Sequence, residues 1–125
     1  MVQNSAARLI EGTKREDHIT TVLFRLHWLP VEYRIRFKVL TLCHKILTGR
    51  GPGYFLQMPQ PARHLRDASQ HRLEVPTAAT VLYEERCYDN AMARQFNALP
   101  LDLRAEQNYN VFKRKLKTHF FQNAF

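Results

Sequence analysis

PVEYRIRFKVLTLCHKILTG, residues 30–49, is the stretch on which the fold turns. Pro30 suits the first turn of a helix, where a missing N–H loses no partner. Gly49 suits the left-handed position just past a helix end, and Pro52 stands just beyond it. Between these two signals, Ile35, Val39, Leu42 and Ile46 predict one buried stripe, which Phe37, Leu40, Cys43 and Leu47 widen. Arg34, Arg36, Lys38 and Lys45 fall largely off that stripe. A solvated helix face and a face turned toward phosphates both account for them.

Toward the N-terminus, Val2, Ala6, Leu9 and Ile10 recur at a helical period with nothing capping the start, and Gly12 is placed to end that helix. Lys14-Arg15-Glu16 reads as a charged connector and Asp17 as an N-cap. Ile19, Val22, Leu23 and Leu26 then predict a short amphipathic helix running to Trp28-Leu29. Trp28, between two apolar helices, reads as core rather than as a stacking platform.

Toward the C-terminus, residues 49–64 hold three of the four glycines and three of the six prolines, which marks a connector with one short turn near Tyr54 to Leu56. A short β-hairpin pairing Leu73 to Val75 with Thr80 to Tyr83 is one reading of the stretch that follows. Helix resumes over Arg86 to Leu99, Asp102 offers a cap for a single turn after Pro100, and Asn108 caps a last helix. In that helix Val111, Phe112, Leu116 and Phe120 face inward, Lys113, Arg114 and Lys117 face out, and Lys115 lies nearer the boundary. The fold class is mainly α. The chain is one domain over 1–125, with a helical half at 1–48, a connector at 49–64, and the hairpin and C-terminal helices at 65–125.

A chain of 125 residues suffices for one core, and 45% hydrophobic with 24% charged residues is a globular composition. Nineteen Lys and Arg against eleven Asp and Glu leave a net charge of +8, which makes polyanions the natural partners. The most apolar stretch, Ile19 to Pro30, is interrupted by Arg25 and His27 and is too short to cross a bilayer, so no membrane role is expected. No secretory leader is recognisable, which makes nucleus or cytoplasm the expected location. Cys43 and Cys87, without a CxxC, read as small hydrophobes of a reducing compartment, with a single disulfide as the alternative.

Catalytic signals are missing. GRGPG at 49–53 matches neither GxGxxG nor GxxxxGK[ST], and Pro52 removes an N–H that a phosphate cradle needs. His18, His27, His44, His64, His71 and His119 show no zinc-ligand spacing. Tyr88-Asp89-Asn90 lacks the second aspartate of a two-metal site. No enzyme activity and no cofactor are expected. What remains is cations interleaved with aromatics, which points to nucleic acid and to Arg34, Arg36, Lys38, Lys113, Arg114 and Lys117 as phosphate contacts. Phe120, Phe121 and Phe125, read as exposed rings, offer a protein-docking surface as the alternative.

Several blocks, in order, carry a resemblance. They are Val2 to Leu9 (VQNSAARL), Asp17-His18-Ile19-Thr20, Leu26-His27-Trp28-Leu29-Pro30-Val31, Arg34 to Lys38, Leu65-Arg66, Leu73-Glu74-Val75-Pro76, Asn97-Ala98-Leu99-Pro100 and Phe112 to Phe121. The series resembles the C-terminal region of LINE-type (non-LTR) retrotransposon reverse transcriptases, LHWLPV being its most specific piece. The resemblance implies that Val2 to Ile10 is the end of a thumb-region helix and that fingers, palm and metal-binding aspartates lie upstream. On that reading the segment is non-catalytic and helps hold RNA or single-stranded DNA. Glu84 to Asp89 and Ala93 to Asn97 depart from the family's Gly-x-Arg-Ala-Phe-Ser and Pro-x-Leu-Trp-Asn blocks, a pattern that suggests a decayed or repurposed copy.

Overall fold

The structure is a computed structural model, described here for residues 2–52, 71–75 and 88–125. Among these residues the chain forms six helices and no strand: α1 (Val2–Glu11), α2 (Ile19–Arg25), α3 (Val31–Leu47), α4 (Tyr88–Asn97), α5 (Leu101–Arg104) and α6 (Tyr109–Ala124). The mainly α class holds. Most of the connector and the second limb of the hairpin, Thr80 to Tyr83, lie outside the described residues, as does Cys87.

Three of the helices stop in the same way. Past α1, α2 and α3 the chain turns left-handed at Gly12, His27 and Gly49, with φ of 66°, 54° and 72°. In each case the next N–H reaches back to a carbonyl five residues earlier: Thr13 to Arg8 at 3.1 Å, Trp28 to Leu23 at 2.9 Å and Arg50 to Lys45 at 2.7 Å. This is the Schellman motif, and glycine fills its left-handed position in two of the three cases. At α2 a histidine does so, against a penalty of about 1–2 kcal/mol for an L-residue there. The turn ends α2 at Arg25, earlier than the apolar pattern through Leu29 predicts.

The other helix ends follow local chemistry. Asn108 caps α6, its side chain accepting from the N–H groups of Asn110 and Val111. Asp17 is not the cap of α2: that position belongs to His18, and the Asp17 carboxylate accepts from the Lys14 N–H at 2.9 Å, closing the connector instead. Pro100, not Asp102, occupies the N-cap of α5, and Asp102 sits in the first turn, where its charge suits the helix dipole.

Two apolar clusters hold the helices together. Leu29, Leu40, Cys43, Met92, Ala93, Phe96, Phe112, Leu116 and Phe120 belong to the larger, which joins α3, α4, α5 and α6. Ala7, Val22 and Leu23 form the smaller, between α1 and α2, with Trp28 packed against it. The Tyr33 ring meets Phe120 at 5.7 Å and the His44 ring lies on Phe112 at 4.2 Å, so α3 and α6 run antiparallel.

The buried face of α3 is rotated from the predicted stripe. Leu40, Thr41, Cys43 and His44 are buried, whereas Ile35 is 60% exposed. Packing by α6 and α4 centres the contact on the line of Tyr33, Phe37, Leu40 and His44. Helix α1 differs similarly, with Ala7 against α2 and Leu9 84% exposed, because the small side chain lets the two helices approach closely.

Candidate nucleic-acid interface

The antiparallel pairing of α3 and α6 sets the first turn of α3 opposite the later turns of α6. Arg34 and Phe37 lie one turn apart on α3, and Lys113 and Lys117 one turn apart on α6. These four line a groove of about 540 Å³ whose remaining wall is the turn after α2, His27-Trp28-Leu29. No carboxylate lines it among the described residues.

The groove is therefore cationic on two sides and apolar at its back. Among the described residues, ion pairs join Arg25 to Glu11 at 3.7 Å and Lys115 to Glu106 at 2.9 Å, and neither engages Arg34, Lys113 or Lys117. Those three cations border the same groove, and no carboxylate among the described residues borders it with them. Like charges brought together in that way favour an anion between them.

The other three expected phosphate contacts go elsewhere. Arg36 lies over the Tyr33 ring at 5.8 Å and lines a smaller cavity with Gln95 and His119. Arg114 faces a third groove that also holds Asp102 and Glu106, where an anion meets repulsion as well as attraction. Lys38 is exposed on α3 and lines none of these three grooves. One basic surface becomes a defined groove of three cations and three cations outside it.

Residues of the back wall carry no signal of that role in the sequence. Trp28 is half-buried rather than wholly core: it packs on the α1–α2 cluster and also lines the groove. His27, in its left-handed turn, stacks on Phe121 at 5.5 Å and 14°, and its Nδ1 lies 3.2 Å from the Arg25 carbonyl. The turn thus fixes both rings by backbone hydrogen bonds and packing.

The C-terminal rings divide: Phe120 is covered, whereas Phe125 is 37% exposed and the Phe24 ring it packs on is 51% exposed. Phe120 is 6% exposed and belongs to the main core. Phe121 stacks on Phe24 at 5.4 Å, and Phe125 meets the same ring edge-on at 5.6 Å. Phe121 and Phe125 meet each other at 4.8 Å and share Phe24 of α2, while Phe120 turns to Tyr33 of α3.

Elsewhere, burial pushes the Cys43 thiol up to about 12, and His44 is held below its ordinary value, chiefly by burial. Among the described residues, no three His, Cys, Asp or Glu side chains are grouped to hold a metal ion, and no helix is long and apolar enough to cross a membrane. No family model, no curated protein and no solved structure matches the chain.

Proposed function

We propose that this chain is a non-catalytic nucleic-acid-binding segment that holds RNA or single-stranded DNA through its basic helices. The observation that carries the reading is the convergence of Arg34, Lys113 and Lys117 on a groove that no carboxylate lines among the described residues. Phosphates displace small counterions when they meet such a cluster, and the entropy of that release drives association whatever the base sequence. The net charge of +8 draws the polyanion to the rest of the surface.

The ordered blocks from Val2 to Phe121 support a more specific origin: the C-terminal region of a LINE-type retrotransposon reverse transcriptase, working in nucleus or cytoplasm. In that setting the polymerase chemistry belongs to other parts of the enzyme. This segment's task is to grip the template or the primed strand.

Fluorescence anisotropy of labelled single-stranded RNA, titrated with the full chain at several salt concentrations, tests the binding. A single-strand slope of about −0.7 per phosphate neutralised means that replacing Arg34, Lys113 and Lys117 by Gln lowers the magnitude of the salt slope by about 2. An unchanged slope in the triple variant overturns the assignment of these residues.

A further inference from the structure

We infer that the groove between α3, α6 and the turn after α2 seats one unpaired nucleotide, with its base against Trp28 and its phosphate among Arg34, Lys113 and Lys117. The inference deepens the nucleic-acid reading above and rests on it. A groove of about 540 Å³ lies within the range of small-ligand sites and accommodates a nucleoside monophosphate. Its two kinds of wall match the two halves of that ligand. The cations of α3 and α6 face an anion, and the apolar wall of Trp28, Leu29 and Phe37 faces a planar ring.

Trp28 is held ready for stacking. Part of the ring is packed on the α1–α2 cluster, and its backbone N–H is bonded to the Leu23 carbonyl at 2.9 Å, so little freedom is lost when a base arrives. Bases in a duplex are already stacked and paired, and their faces cannot reach a side wall. The unit recognised is consequently a nucleotide whose base is free, and a single strand is preferred to a duplex at equal charge.

Trp28 is the sole tryptophan of the sequence, so its emission reports on this wall alone. The test titrates the full chain with twelve-nucleotide oligo(dA) and oligo(rA), with a duplex of the same length, and with AMP, following Trp28 emission and, for labelled strands, anisotropy. The single strands are expected to quench Trp28 saturably, AMP to quench it too and to displace a labelled strand in anisotropy, and the duplex to bind about ten-fold more weakly. Lys113→Glu with Lys117→Glu, both on exposed positions of α6, is expected to abolish the quench while the fold persists. Trp28→Leu is expected to weaken single-strand binding about ten-fold and leave duplex binding unchanged. Strand binding seen by anisotropy with Trp28 emission unaltered overturns the pocket and leaves the wider nucleic-acid reading standing. Equal affinity for duplex and single strand overturns it too, and no anisotropy change with any strand overturns both.

Discussion

Asn97 and Leu73, 24 positions apart, exchange two hydrogen bonds: the Leu73 N–H donates to Asn97 Oδ1 at 2.7 Å, and Asn97 Nδ2 donates to the Leu73 carbonyl at 2.8 Å. A carboxamide at the last residue of α4 thus plays the part of a neighbouring strand. It fastens the segment at 71–75 to the main core, where the Leu73 side chain is buried. Asn97→Ala removes both of these hydrogen bonds from the Leu73 backbone in a half-buried place and is expected to lower stability by about 2 kcal/mol. Urea denaturation measures the loss, and hydrogen exchange at the Leu73 amide should accelerate with it.

His44 gives the stability a defined pH dependence. Its Nε2–H donates to the Glu106 carbonyl at 2.7 Å, while Nδ1 is buried with no hydrogen-bond partner among the described residues. Burial favours the neutral ring and Arg50 adds to that effect, outweighing the carbonyl and carboxylate of Glu106, so the folded value lies below the ordinary 6.5. The unfolded chain therefore takes up its proton first as pH falls. Stability from this group is complete above about 6.5 and declines between that value and the lower folded value. Denaturation midpoints of the native chain and of His44→Phe, measured from pH 8 to 5, should diverge in that window, with the variant curve flatter. Parallel curves would show that His44 titrates alike in both states.

Gly51 is required by contact with α3. A methyl group there would meet Ile46 Cγ1 at 2.6 Å and, more seriously, Ile46 Cα at 2.9 Å. The side-chain atom can swing away, but the backbone atom belongs to the last turns of α3 and cannot. Gly51→Ala is expected to destabilise by about 1–3 kcal/mol, read as a lower thermal midpoint.

Such contacts separate what is legible in the sequence from what is not. Each end of α3 and the cap of α6 is set by a residue next to it, Pro30 before α3, Gly49 after it and Asn108 before α6, and local chemistry settles them. The buried face of α3 is not settled in that way. Thr41 and His44 are buried with the Thr41 hydroxyl on the Lys38 carbonyl and His44 Nε2 on the Glu106 carbonyl, and the second of these comes from the far end of the chain. Phe120 belongs in the sequence both to the inward stripe of α6 and to a run of terminal aromatics, and Tyr33 of α3 meets it on the buried side. Arg34, Lys113 and Lys117 are each recognisable as surface cations, but their convergence depends on the antiparallel pairing of α3 with α6. Trp28 belongs to the groove for the same reason.

Lys115 and Lys117 stand two positions apart on one helix, in opposite surroundings. Lys115 Nζ is tied to the Glu106 carboxylate at 2.9 Å, and that carboxylate is held below its ordinary value first by this bond and then by the Asn108 N–H. A phosphate approaching Lys115 must compete with an anion already in place. Lys117 borders the groove that no described carboxylate lines. Equal replacements should thus have unequal effects: Lys117→Gln is expected to reduce the single-strand salt slope by about 0.7, and Lys115→Gln by much less. Both positions are exposed, so the fold is common to the two variants and the net charge falls equally. Salt-dependent anisotropy with the same labelled strand compares them directly, and equal slopes would mean that binding follows net charge and ignores the groove.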